Sequence, residues 1–147
     1  MKRGTLLVWC VALALIMAAC GAAEPQAGVI VSGTISTDNA DTAEIFLQVS
    51  DDGQMITRAM AHLVKINCNG FGGGEATFEH TNVKAPIEAG KFEFGASFGQ
   101  VSGQFTSPTA AEGTVHLTFN NGKTECGTWN WSTTGQGISS WPTQPSP

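Results

Sequence analysis

Two cysteines in the polar part of the chain, Cys68 and Cys126, have the most sharply defined chemistry. A pair of thiols forms a disulfide in an oxidising compartment, or it contributes two ligands to a metal ion. Neither cysteine belongs to a Cys-x-x-Cys pair, and a lone pair matches zinc spacing poorly. If the chain is exported, the pattern therefore favours a disulfide that closes a long loop, with metal ligation as the alternative.

Histidines and acidic residues offer further possible metal ligands, but none of them is spaced as in a known site. The histidines are His62, His80 and His116, and the clustered oxygen donors are Asp38, Asn39, Asp41, Asp51 and Asp52. The histidine separations form no local motif, and neither acidic cluster has the glycine and terminal glutamate of a calcium loop. Aspartate and asparagine are also common in tight turns. We expect surface histidines, polar turns, and no metal or other cofactor.

The glycine run at 69–74 does not match a catalytic motif. A phosphate-binding loop would need Lys-Ser or Lys-Thr after its glycines and then a helix, whereas Glu75 follows this run. The run is instead expected to be a flexible loop after Cys68. One Gly-x-Ser-x-Gly sequence occurs, at 95–99, but it coincides with a predicted turn at Phe98-Gly99 between strand segments, not with the strand-to-helix elbow that exposes a serine nucleophile. We predict a protein that is not an enzyme, with a small hydrolase using two carboxylates as an alternative.

Trp129 and Trp131 are the best candidates for ligand binding. Because they are two residues apart, a strand would place both side chains on the same face. If both were exposed, they would form a flat platform for sugar rings, which Trp141 could extend. The alternative is that one or both fill the hydrophobic core, because large aromatic side chains dominate protein cores.

The start of the chain has the pattern of an export signal. Lys2 and Arg3 precede an apolar run at 6–19, which is too short to span a membrane as a helix. Small residues then lead into Cys20, and this ending resembles the lipobox of bacterial lipoproteins, although Met17 stands where leucine is usual. The resemblance implies cleavage before Cys20 and acylation of that cysteine. The alternatives are an ordinary secretory signal or a retained membrane anchor.

The charge of the chain argues against nucleic-acid partners. The net charge is −5, and loss of Lys2 and Arg3 with the signal peptide would make it −7. Such a domain lacks the basic surface that neutralises phosphates. Anionic headgroups should also repel it, so we expect lipid at Cys20, rather than the protein surface, to hold it on the membrane.

The mature part alternates apolar and polar residues with the period of β-strands. The alternating segments begin near Val29, Ile45, Phe92 and Val115. Turn signals at Asp52-Gly53, Ala89-Gly90, Phe98-Gly99 and Asn121-Gly122 separate them. The segment 55–66 has some helical character, but we favour a strand with Ile56, Met60, Val64 and Ile66 on one face. A change of phase between Asn82 and Val83 predicts a bulge.

Several short motifs also resemble a small all-β module of bacterial lipoproteins and surface proteins, covering about residues 29–133. They include Phe46-Leu47-Gln48-Val49, Gly90-Lys91-Phe92, Gly103-Gln104-Phe105, Ala111-Glu112-Gly113-Thr114, Cys126-Gly127 and Trp131. The module has no activity to transfer. The resemblance favours Trp131 as a core residue and implies the disulfide. About eight strands with turns predict an all-β fold, an antiparallel β-sandwich of jelly-roll type with one disulfide.

These observations predict four segments. They are a signal-peptide helix at 1–19, a lipidated flexible tether at 20–28, the β-sandwich at 29–133 and a flexible tail rich in proline and serine at 134–147. The expected function is a non-catalytic binding or structural module of the bacterial cell envelope, facing away from the cytoplasm. Its partner would be an envelope protein or a glycan; the alternatives are the tryptophan platform and the small hydrolase.

Overall fold

The computed structural model describes residues 22–69, 71–119 and 123–143. The predicted signal-peptide helix, Cys20 and the Asn121-Gly122 turn lie outside the described residues. The strands are β1 (Ile30–Ile35), β2 (Thr42–Val49), β3 (Met55–Cys68), β4 (Phe71–Pro86), β5 (Lys91–Ala96), β6 (Gly99–Ser107), β7 (Ala110–Phe119) and β8 (Thr124–Ile138). The prediction of an all-β fold with about eight strands is confirmed, and 55–66 is a strand rather than a helix.

The eight strands form one antiparallel sheet, not the two packed sheets of the predicted sandwich. Their order is β4-β3-β2-β1-β8-β7-β6-β5, so neighbours in the sheet are neighbours in sequence except where β1 pairs with β8. Strands β4 and β5 end the order, are joined by the turn at 87–90 and contact each other. The sheet is therefore nearly closed and barrel-like. Alternation of residues predicts a buried face in both architectures, so it could not distinguish them.

The inward faces of the strands enclose a continuous apolar core. Its largest fully buried side chains are Trp131, Phe98, Phe105, Ile45, Leu47, Ile56, Leu63, Ile66 and Leu117. The predicted alternation in β2, β5 and β7 is confirmed, because Ile45, Phe92 and Val115 all point inward. No charged or polar residue of the described part is fully buried, so burial of apolar side chains is the main stabilising contribution.

The predicted inward face of β3 is wrong in part. Ala59, Ala61 and Leu63 are fully buried in the core, whereas Met60, although only 3% exposed, lies on the opposite face of the strand, outside the core cluster. Irregularities in the pairing of β3 with β4 shift the phase of the alternation near each end of β3. Lys65 lies at the irregularity near the C-terminal end and has a φ of 54°. A shift of one residue exchanges the two faces of a strand. The predicted bulge in β4 is present, since Asn82 has a φ of 61° opposite the first irregularity.

The glycine run and the C-terminal segment are more ordered than the sequence suggests. Gly72 and Gly74 pair with β3 as part of β4, so the predicted flexible loop is a strand there. Strand β8 continues to Ile138, beyond the predicted end of the domain at 133. Trp141 then packs over Arg58 with its ring centroid 4.2 Å from the guanidinium carbon. Pairing with β1 orders the first part of the expected tail, and the cation–π contact orders the second.

Candidate functional site

A polar trench crosses the outer face of strands β5, β6, β7, β8 and β1. One wall is a row of side chains contributed by successive strands, and the second wall is the parallel row two residues along each strand. The first row is Glu93, Ser102, Thr114 and Asn130, and the second is Lys91, Gln104, Glu112, Ser132 and Thr34. The trench has a volume of about 1050 Å³.

Hydrogen bonds between neighbouring strands hold the walls in place. The hydroxyl groups of Ser102 and Thr114 lie 2.8 Å apart, and either can be the donor. The Gln104 amide donates to the Glu112 carboxylate across 3.3 Å in the second row. Cross-strand pairs of this kind contribute modestly to sheet stability. They also fix the direction of the remaining donors and acceptors that face the trench.

Glycines and buried aromatic rings form the floor of the trench. Gly103 and Gly113 are paired across β6 and β7, between the two walls. A Cβ at Gly103 would lie 2.6 Å from Cζ2 of Trp131 and 2.7 Å from Cζ of Phe92. A Cβ at Gly113 would overlap the carbonyl oxygen of Ser102. The absence of side chains here permits the close contact between the sheet and the rings beneath it.

Trp129 and Trp131 share one face, as their spacing predicts, but that face is the inner one. Trp131 is only 2% exposed and its ring centroid lies 6.1 Å from that of Phe92. Trp129 is half-buried, packs against the core and covers Gly127. The two rings therefore do not form an exposed platform, and the core position of Trp131 follows the alternative interpretation. Trp141 lies elsewhere, above Arg58.

The prediction of a disulfide between Cys68 and Cys126 is confirmed, with a Cα–Cα distance of 4.8 Å. The bond joins the end of β3 to the start of β8. Strands β2 and β1 separate these two in the sheet, so no sheet ladder connects them. The disulfide thus crosses one end of the barrel-like sheet and contributes to its architecture.

The histidines are distributed over three strands and do not converge. The Nδ1 atoms of His62 and His116 each contact a threonine hydroxyl on the adjacent strand, Thr77 at 3.0 Å and Thr128 at 2.9 Å. His80 is in β4. Within the described residues, no group of three or more histidine, cysteine or acidic side chains is arranged to hold a metal ion.

The two acidic clusters form turns at opposite ends of the sheet. Between β2 and β3, the Ser50 hydroxyl and then the backbone N–H of Gln54 donate to the Asp52 carboxylate, and these hydrogen bonds lower its pKa. Between β1 and β2, Asp41 forms an ion pair with Lys65 at 2.7 Å, which raises the pKa of the lysine ammonium. Both groups are solvent-exposed, so these pairs orient the turns and add little to stability.

The segment at 22–28 lies along one end of the sheet, which we call the base rim. The base rim comprises the turns at 50–54, 87–90 and 108–109, against which this segment lies. The Ala23 N–H donates to the Phe105 carbonyl at 2.7 Å, Gln26 to Pro108 at 2.7 Å and Gly28 to Ser50 at 2.8 Å. The sequence predicts a flexible tether here because the side chains are small and polar, but these backbone hydrogen bonds do not depend on side-chain type.

The polar trench is not evident from the sequence pattern. Each of its polar residues was visible as the outward member of an alternating strand, but such residues normally face solvent without a function. The glycines at 103 and 113 are the local signal, since a glycine inside a strand often marks a close approach of another group. Their alignment across β6 and β7 becomes evident only from the strand register.

No helix that is long and apolar enough to cross a membrane occurs in residues 22–69, 71–119 or 123–143. Comparison of the chain with protein-family models, with curated proteins and with solved structures gives no significant match. The function must therefore be inferred from the residues and their geometry.

Proposed function

We propose that this protein is an exported lipoprotein of the bacterial cell envelope, acylated at Cys20, whose β domain binds a partner and performs no catalysis. The signal-like start and the lipobox-like residues before Cys20 support export and acylation. The disulfide is consistent with an oxidising compartment outside the cytoplasm.

The observation that carries the structural part of the proposal is the attachment of residues 22–28 to the base rim. Cys20 lies two residues before Ala22, a separation that extended chain can span with at most about 7 Å. Acyl chains on Cys20 would therefore begin beside the base rim. Two or three such chains are sufficient for stable anchoring.

This arrangement gives the anchored domain a defined orientation. The base rim would face the bilayer, and the opposite end, with the 36–41 turn and the disulfide, would face away from it. The base rim and the segment bound to it include Glu24, Asp51, Asp52 and Glu88, which anionic headgroups would repel. The lipid would then hold the domain close to the membrane, and the repulsion between the surface charge and the headgroups would keep the domain from embedding.

Intact mass spectrometry of the membrane-extracted protein tests the anchor. We expect loss of residues 1–19 and the added mass of acyl chains. Cys20→Ala should abolish both changes, whereas Cys10→Ala, which alters the only other cysteine before the domain, should leave both intact. An unacylated, secreted product from the unaltered gene would refute the proposal.

Fluorescence quenching in proteoliposomes tests the orientation. A fluorophore on Asp51→Cys reports the base rim, and one on Asp38→Cys reports the opposite end; both positions are exposed turn residues. Nitroxide-labelled lipids should quench the first probe and not the second. Equal quenching of the two probes would show that the 22–28 segment does not orient the domain.

A further inference from the structure

The polar trench presents many groups that both donate and accept hydrogen bonds. Ser102, Thr114 and Ser132 contribute hydroxyl groups, and Gln104 and Asn130 contribute amides. Ser102, Thr114 and Gln104 each retain bonding capacity beyond the one cross-strand side-chain contact that they make. A ligand suited to such walls is one with hydroxyl groups along its whole length.

The charges in the trench disfavour polyanions. Carboxylates of Glu88, Glu93 and Glu112 line it, and Lys91 is the ammonium group among its lining residues. Glu93 and Glu112 are each hydrogen-bonded to a glutamine amide, from Gln100 and Gln104. All three glutamates are exposed, and an anionic polymer would have to lie against their carboxylates, at an electrostatic cost. An uncharged ligand avoids this cost.

The dimensions of the trench suit an extended chain. Neighbouring strands in a sheet are about 4.8 Å apart, so five strands span about 19 Å from the first to the last. Successive polar side chains along each wall are therefore about 4.8 Å apart, which is close to the length of one hexose in an extended glycan. The volume of about 1050 Å³ is at the upper end for ligand sites, as expected for a short oligomer.

The floor of the trench is glycine backbone with buried aromatic rings beneath it. The rings of Phe92 and Trp131 lie directly under the glycine backbone at position 103. The Nε1–H of Trp131 is buried and has no hydrogen-bond partner among the described residues. Because the Trp131 ring lies on the inner face of the sheet, this donor belongs to the core beneath the trench and is not offered to a ligand in it.

We propose that the polar trench is a binding site for an extended, uncharged glycan, held by hydroxyl and amide groups on both walls. The Trp129–Trp131 pair plays no part as an exposed platform. This inference does not depend on acylation of Cys20, because no residue that lines the trench precedes Thr34. Failure of the lipid test would therefore leave it standing.

Isothermal titration of the detergent-solubilised full-length product with chitohexaose and cellohexaose tests the proposal. We expect at least one hexasaccharide to bind and dextran sulfate not to bind. The double variant Thr114→Ala and Asn130→Ala removes two neighbouring polar groups from the same wall of the trench. It should weaken binding on the order of tenfold or more. A Ser132→Tyr variant, which places a bulky ring over the trench, should weaken it as well.

The matched control is the double variant Thr118→Ala and Thr128→Ala. It removes two outward side chains from the same strands, β7 and β8, outside the trench. Its affinity should stay within about twofold of the unaltered protein, and melting curves verify that each variant is folded. Absence of hexasaccharide binding at millimolar concentration, preferential binding of dextran sulfate, or equal loss of affinity in both double variants would overturn the proposal.

Discussion

Removal of the disulfide should destabilise the domain strongly, because Cys68 and Cys126 join strands that no other covalent or sheet contact connects. The perturbation is the double substitution Cys68→Ala and Cys126→Ala, or reduction of the unaltered protein. Strands β2 and β1 lie between β3 and β8 in the sheet, so no ladder of hydrogen bonds replaces this bond. Without the bond, the unfolded chain regains the conformational freedom of the loop between the two cysteines.

The length of that loop sets the magnitude. The cysteines are 58 residues apart, for which the chain-entropy model gives about 4 kcal/mol at 25 °C. For a domain of this size, 1 kcal/mol corresponds to about 4 °C in melting temperature, so we expect a decrease of about 16 °C. The m-value in urea should increase, because the unfolded chain without the cross-link exposes more surface.

Urea and thermal unfolding followed by circular dichroism measure both quantities. The double alanine variant should be insensitive to dithiothreitol, and reduction should bring the unaltered protein close to it in stability. A decrease in melting temperature of less than about 5 °C, or an unchanged m-value, would refute the loop-entropy reasoning. It would indicate that the ends of β3 and β8 are held together by packing alone.

Three further predictions concern single residues. Gly103→Ala should cost about 1–3 kcal/mol in unfolding free energy, because the new methyl group would overlap the Trp131 ring, which is 2% exposed. Trp141→Ala should cost about 1 kcal/mol through loss of the contact with Arg58. Asp52→Ala should destabilise the protein above about pH 4, and the difference should disappear as falling pH protonates Asp52 in the folded state, since its folded pKa is lowered.

Matched variants check each of these expectations. Gly95→Ala places a methyl group where no atom lies within 4 Å, so it should be close to neutral in chemical denaturation. Trp141→Phe should retain part of the contact energy that the alanine variant loses. Asp51→Ala removes the neighbouring exposed carboxylate, to which neither Ser50 nor Gln54 donates a hydrogen bond, and should cost less stability at neutral pH. Equal effects of a variant and its control, in any of the three pairs, would contradict the contact invoked.

The strand pattern was predictable wherever local alternation is unbroken. In β2 every second residue is apolar and buried, and in β5 and β7 this holds except at the half-buried Ala96 and Gly113, so hydropathy alone identifies the inner face. In β3 the same method failed for Met60, because pairing irregularities near both ends of the strand shift the phase. The positive φ of Lys65 at one of them has no sequence signal, since lysine rarely adopts that conformation.

The candidate site was less predictable than the fold. The spacing of Trp129 and Trp131 correctly placed them on one face, but the choice between inner and outer face depends on which strands cover them. The trench residues come from five strands and are brought together only by register, which pairs Ser102 with Thr114 and Thr114 with Asn130. A local pattern does not contain such long-range pairing.

The sequence by itself determined the class of fold, the inner faces of the regular strands and the disulfide partners, because each depends on local alternation or on the count of cysteines. The tertiary structure alone decided that the strands form one nearly closed sheet, that Trp131 lies in the core and that residues 22–28 bind the base rim. It also decided where the polar trench lies. These features depend on strand pairing and close packing between residues far apart in the chain, which alternation leaves undetermined.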